Sequence, residues 1–266
     1  MIPFSIAAIF LMQGPAGASP LDTAYRQMYN LEFAGAHRTL SDWERAQPGD
    51  PLGPASNAAA YLFAEFDRLR ILQSEFFTDD DAFKHRAKLS PDPAARRAFD
   101  TEMEKAAKIA GEVLARSPQN ENALFASILN LGLRANYDAL VDKHYLASLQ
   151  DMKQGRLVAE KLLALDPNYG DAYLAIGVEN YSLSLKAAPL RWLLQLGGAQ
   201  TDRDIGLEKI RLTVEDGHYL KPYARLLLAV AALRDKKPEE AKGILRELVR
   251  EFPGNRLYAE ELAKLR

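Results

Sequence analysis

The chain has 266 residues, 48% of them apolar, and a formal net charge of −2. That length can bury a continuous core, and the near-neutral balance excludes the basic surface on which non-specific nucleic-acid binding depends. The absence of cysteine excludes a disulfide framework, thiolate metal sites, a cysteine nucleophile and lipid attachment through an acylated cysteine.

Pro3 to Met12 is an apolar run, and Ala16-Gly17-Ala18 follows it. A short apolar region before an A-x-A site is the pattern of a secretory signal peptide, cut here before Ser19. Residues 1–18 are therefore expected to be a signal peptide and residues 19–266 a single helical domain, exported to the periplasm or secreted. One element of the pattern is missing, because the first basic residue is Arg26. Without cleavage, the protein is expected to work as a cytoplasmic adaptor. No run approaches the roughly 20 apolar residues of a membrane span, so the mature chain is expected to have no transmembrane helix and no lipid anchor.

The helical period then predicts helices over 20–32, 35–47, 54–77, 93–117, 121–136, 140–165, 170–185, 201–216, 220–234, 238–251 and 255–265. No segment alternates with period 2 between turns, so no strand is predicted. Two stretches interrupt the series. Residues 78–92 are polar and read as a loop, and residues 185–200 are apolar and contain Trp192. Leu190, Trp192, Leu193, Leu194 and Leu196 cannot all face one core from a single short helix. They are expected either to plug a gap between helices or to act as a lid or docking element.

The clearest unit is Pro222–Asn255. Its second helix places Ala241, Ile244, Leu245, Leu248, Val249 and Phe252 on one face, opens with Pro238-Glu239-Glu240 and ends at Pro253-Gly254. A small residue stands twelve positions before a proline in four places: Ala36 and Pro48, Ala106 and Pro118, Gly155 and Pro167, Ala241 and Pro253. The stretch Leu165–Gly177 adds small Ala172, aromatic Tyr173, aliphatic Ile176 and Gly177, and Pro222–Asn255 adds Ala224 and Leu228. This pattern resembles the tetratricopeptide repeat, a helix–turn–helix unit of 34 residues. The resemblance implies an all-α fold, an α-solenoid of stacked repeats forming a right-handed superhelix, with Ala36, Ala106, Gly155, Ala172, Tyr173, Ile176, Gly177, Ala224, Leu228 and Ala241 as packing residues. It also implies a concave groove for a partner. The four prolines lie 70, 49 and 86 residues apart, so the array is degenerate. The peptide-clamp residues of the family are missing, since Ala175 and Val178 hold the matching positions.

Catalytic signatures are lacking. His37, His85, His144 and His218 include no pair at the i, i+4 spacing of a zinc helix, and neither a nucleophile elbow nor a phosphate-binding loop occurs. Asp79-Asp80-Asp81 lacks the ligand spacing of a calcium loop. His144 with Asp142 and Glu121 forms an acid–base set only if the fold gathers them. The expected function is a non-catalytic scaffold, without metal or cofactor, that binds another protein or peptide in its groove. Glu179, Asn180, Tyr181 and Trp192 are its candidate lining. The alternative is peripheral membrane or lipid contact through residues 185–200.

Overall fold

The same chain reversal occurs four times, and it sets the geometry of the molecule. Gln47, Ser117, Asp166 and Phe252 each end a helix, donating to the carbonyl four residues back, and each precedes a proline. All four share one extended conformation, with φ of −130°, −139°, −131° and −126°. A residue before proline is driven out of the helical region by the proline ring. Three residues on, Asp50, Asn120, Tyr169 and Asn255 each donate back to the helix-ending residue and close a turn.

The computed structural model describes residues 18–72 and 89–265. Among these it is all-helical, with no strand. Twelve α-helices follow in order: α1 Pro20–Tyr29, α2 Phe33–Ala46, α3 Leu52–Arg68, α4 Pro93–Arg116, α5 Glu121–Tyr137, α6 Tyr145–Leu165, α7 Tyr173–Ser184, α8 Ala188–Leu196, α9 Arg203–Asp216, α10 Lys221–Arg234, α11 Pro238–Glu251 and α12 Arg256–Lys264. A π-helical turn, Asp138–Asp142, separates α5 from α6, and a 3-10 turn, Gly170–Ala172, precedes α7. Side-chain caps set several starts: Ser19 and Asp22 form a capping box on α1, and Asn120, Asp202 and Asn255 accept first-turn N–H groups of α5, α9 and α12. No described helix is long and apolar enough to cross a membrane.

Three differences from the predicted helix map have local causes. The helix predicted over 54–77 stops at Arg68, where Arg70 turns left-handed (φ 56°) and the Ile71 amide reaches back to the Phe66 carbonyl. That is a Schellman cap, built here without glycine. The helix predicted over 140–165 starts at Tyr145, after Lys143 at φ 59°. The stretch 185–200, predicted without a helix, contains α8. Residues 1–17, 73–88 and 266 lie outside the described residues, so nearly all of the segment expected to be a signal peptide, Asp79–Asp81, His85 and most of the 78–92 loop do too.

Packing is mostly sequential. Each of α1 to α6 rests on the next, α7 then rests on α9, and α9 to α12 continue the series. Ala36, Ala106, Ala172, Ala224 and Ala241 are fully buried, and Gly155, Ile176 and Gly177 are buried with them. Tyr173 and Leu228 are half-buried. The tightest crossing is α7 on α9. A Cβ on Gly206 would lie 2.5 Å from the Tyr181 amide nitrogen, and one on Gly177 2.8 Å from Ile210.

The series does not run open. α1 packs on α2 and α3, but Tyr25 also stacks on Tyr219 at 4.6 Å, and Tyr29 Oη donates to the Tyr219 carbonyl at 2.9 Å. Asn255 donates to the Tyr29 carbonyl, and Asn30 accepts from the Gly254 amide. Asp171 supports this closure from inside. Its carboxylate accepts from the His218, Tyr219 and Leu220 amides at 2.9–3.0 Å and so fixes the loop that meets α1. Burial pushes its carboxyl up, and the three amides pull it back.

Candidate functional site: an apolar helix facing outward

α8 is short and mostly apolar, and no residue of it is buried. Pro189 starts it. Gly198 ends it at φ 80° while the Ala199 amide returns to the Leu194 carbonyl. Helical spacing puts Pro189, Trp192, Leu193 and Leu196 on one side and Arg191 and Leu194 on the other. The apolar side faces solvent: Trp192 is 63% exposed, Leu193 60% and Leu196 66%. Arg191 and Leu194 are half-buried. The usual amphipathic order is thus inverted.

The flanks of α8 explain how this is held. Arg191 donates to the Ser184 and Lys186 carbonyls, and Gln195 donates to the Thr201 hydroxyl at 2.7 Å. Below lies a buried polar cluster. Arg156 pairs with Glu179 at 2.7 Å and with Glu160 at 2.8 Å, and it donates to the Gly198 carbonyl at 3.1 Å. Glu179 accepts from the Gln200 amide. Asn180 donates to the Gln200 side chain and accepts from the Asp202 amide at 3.0 Å. Lys153 closes the cluster on the Gly197 carbonyl. Burial opposes the Arg156 charge, but Glu160 and Glu179 more than offset it and raise its pKa. Burial also pushes the Glu179 carboxyl up, against the Gln200 amide and Arg156.

The four residues expected to line a groove therefore meet in one region but do different work. Glu179 and Asn180 are each 1% exposed and anchor the return from α8. Tyr181 is buried against Gly206, and burial raises its pKa. Only Trp192 reaches solvent. An open groove lined by Glu179, Asn180 and Tyr181 is thus corrected to a filled interior, because Arg156 and the return through Gln200 and Asp202 cover Glu179 and Asn180, and Gly206 of α9 packs on Tyr181. The anchors Lys153, Arg156, Gln200 and Asp202 were not foreseen. Their one sequence signal is an arginine placed beside Gly155 on a packing face.

The exposed apolar surface is localised. Every large hydrophobic residue exposed among the described residues lies between Tyr145 and Ile205. Leu146 and Leu157 share the face of α6 that carries Lys153, the residue bonded to Gly197. Three other tyrosines pack on phenylalanine rings: Tyr169 on Phe125 at 5.2 Å, Tyr223 on Phe63 at 5.8 Å, and Tyr137 on Phe99 at 5.4 Å.

Two other places merit comparison. Ligand atoms of Asp138, Asp142 and His144 lie within 4.8 Å of one another. Asp142 is paired with Arg96 at 2.9 Å, which also holds Asp100, so part of the charge a cation would need is already compensated. Glu121 starts α5 while Asp142 follows its end. At 1.5 Å per residue that is about 25 Å of helix, and the set of His144, Asp142 and Glu121 does not form. The second place is an apolar crevice between α3 and α10, lined by Phe63, Phe66, Tyr223, Leu226 and Leu233. Its volume is about 50 Å³, well below the several hundred Å³ of a usual ligand pocket.

No protein-family model matches this chain, and no curated protein matches it.

Proposed function

We propose that this protein is a non-catalytic docking scaffold of the cell envelope, built as a degenerate tetratricopeptide-like array, and that α8 is its docking element. One observation carries the reading: α8 turns Trp192, Leu193 and Leu196 to solvent while its polar residues hold it from behind. Exposed apolar patches of this kind mark contact surfaces. Export rests on the Pro3–Met12 run and the Ala16-Gly17-Ala18 site, and an intact Met1 in the mature protein would overturn it. The array rests on the four repeated proline turns and the sequential packing.

The test is site-specific photo-cross-linking in cells. A photoreactive residue at Leu193 is expected to capture a partner molecule, protein or lipid, whereas one at exposed Lys236 is expected to capture none. Equal yield at both positions, or none at Leu193, would overturn α8 as the docking element.

A further inference from the structure

We infer that the occupant of the α8 face is an anionic bilayer surface. This rests on α8 being the docking element and names what it docks to. The chemistry is that of an interfacial helix. Trp192, Leu193 and Leu196 project together, and tryptophan prefers the boundary between headgroups and acyl chains. The charge is one-sided. From Asn180 to Thr201 the chain carries Lys186 and Arg191 and no Asp or Glu. Arg191 and Lys153 are spent on the inner side, on the Ser184, Lys186 and Gly197 carbonyls, and exposed Lys186 is the cation of this stretch left beside the apolar face. Acids return only at Asp202, which caps α9, and at Asp204.

That imbalance selects between occupants. A second copy docking helix to helix would set Lys186 against its own image and offer no acid in either segment, while Arg191 is turned inward onto the Ser184 and Lys186 carbonyls. Like charges brought together in this way work against pairing. A bilayer with anionic lipid complements Lys186 instead. It also needs no shaped pocket, and α8 buries none of its own residues. A helix of nine residues buries little in a membrane, so binding is weak, reversible and salt-sensitive.

The experiment uses the full chain carrying Trp43→Phe, which leaves Trp192 as the only tryptophan. It is mixed with vesicles of phosphatidylcholine alone, or with one-third phosphatidylglycerol. The expected result is co-sedimentation and a blue shift of Trp192 emission with the anionic vesicles, both reduced in high salt. Leu193→Ser with Leu196→Ser is expected to weaken this binding at least tenfold. Lys186→Glu reverses a charge worth about fivefold for each unit and is expected to cost about thirtyfold. No residue of α8 is buried and Lys186 is exposed, so these variants keep the helical circular dichroism of the parent. The Pro3–Met12 run is common to all of them, and the difference isolates α8.

Equal binding to both vesicle types, or a blue shift that survives Lys186→Glu unchanged, overturns the anionic surface. Self-association that Leu193→Ser with Leu196→Ser abolishes overturns it in favour of a second copy. No vesicle binding, together with a protein adduct from a photoreactive residue at Leu193, overturns the lipid and leaves α8 as a protein-docking element.

Discussion

The unit Pro222–Asn255 and the excursion Leu185–Asp202 use the same code in opposite directions. In the first, α11 points Ala241, Leu245 and Leu248 inward, where they join Ala229, Ala232, Phe252 and Tyr258 in one cluster. In the second, α8 points Trp192, Leu193 and Leu196 outward and its arginine inward. Amphipathic spacing fixes which residues share a face. What lies beneath fixes which face is turned in. Under α11 there is an apolar surface waiting to be covered. Under α8 the carbonyls of Ser184, Lys186, Gly197 and Gly198 need donors, and Arg191, Lys153 and Arg156 supply them. The first region is held by area removed from water, the second by directed hydrogen bonds.

The strongest way to break this contrast is to remove the polar anchor. Glu179→Ala leaves the Arg156 guanidinium buried with one partner fewer and the Gln200 amide without its acceptor. Breaking a buried pair from one side costs about 3–5 kcal/mol, and chemical denaturation should show a loss of that size. Hydrogen exchange should rise first at residues 187–201, ahead of α11. Uniform loosening of both regions would mean that the anchor serves the whole fold rather than α8.

Next comes a pair of leucines, one from each region. Leu245 is 2% exposed, and Leu245→Ala is expected to cost about 3 kcal/mol through lost burial and a cavity. Leu193→Ala is expected to change stability by less than about 0.5 kcal/mol. Comparable losses at both sites would show that α8 packs against something within the protein.

The regular half of the molecule was legible because its signals are local. A proline forbids helix at the residue before it, and a small residue twelve positions earlier marks a close helix crossing, so the turns at Pro48, Pro118, Pro167 and Pro253 could be read directly. The direction α8 faces could not be read, because periodicity gives a face but not its orientation. Glu179 and Asn180 were misread for a related reason. A Glu-Asn pair in a mostly apolar helix is equally consistent with a wet groove and with a buried cluster. Arg156 decides it, and it stands 23 residues away on another helix. The closure of α1 onto the C-terminal turn depends on Asn30 and Asn255, more than 220 residues apart, and neither carries a local sign of the other.

pH offers a smaller probe of the well-packed half. His37 bonds the Asn57 side chain at 2.6 Å and lies 3.9 Å from the Tyr61 ring. Burial lowers its pKa, with Asn57 opposing. The unfolded chain therefore takes up its proton first as pH falls. The His37 contribution is complete above the ordinary histidine value of about 6.5 and is lost as pH drops from there toward the folded value. Wild type should lose stability across that window. His37→Gln should flatten the loss there, whereas α8 variants should leave it unchanged.

The last comparison sets a small gain at one glycine against a loss at another. Gly243, in α11, has no atom within 4 Å of the place a Cβ would occupy. Alanine there restricts the unfolded chain and suits a helix interior, so Gly243→Ala should add about 0.5–1 kcal/mol. The same change at Gly206 has the opposite sign, because the new Cβ meets the Tyr181 backbone at 2.5 Å and backbone cannot move aside as a flexible side chain can. A loss of about 1–3 kcal/mol is expected there, and α7, which carries the Glu179–Asn180 anchor, would be displaced with it. The two denaturation midpoints should therefore move apart from wild type. If Gly206→Ala proved neutral, the crossing of α7 and α9 would be looser than its geometry states, and the anchor beneath α8 would have room to shift.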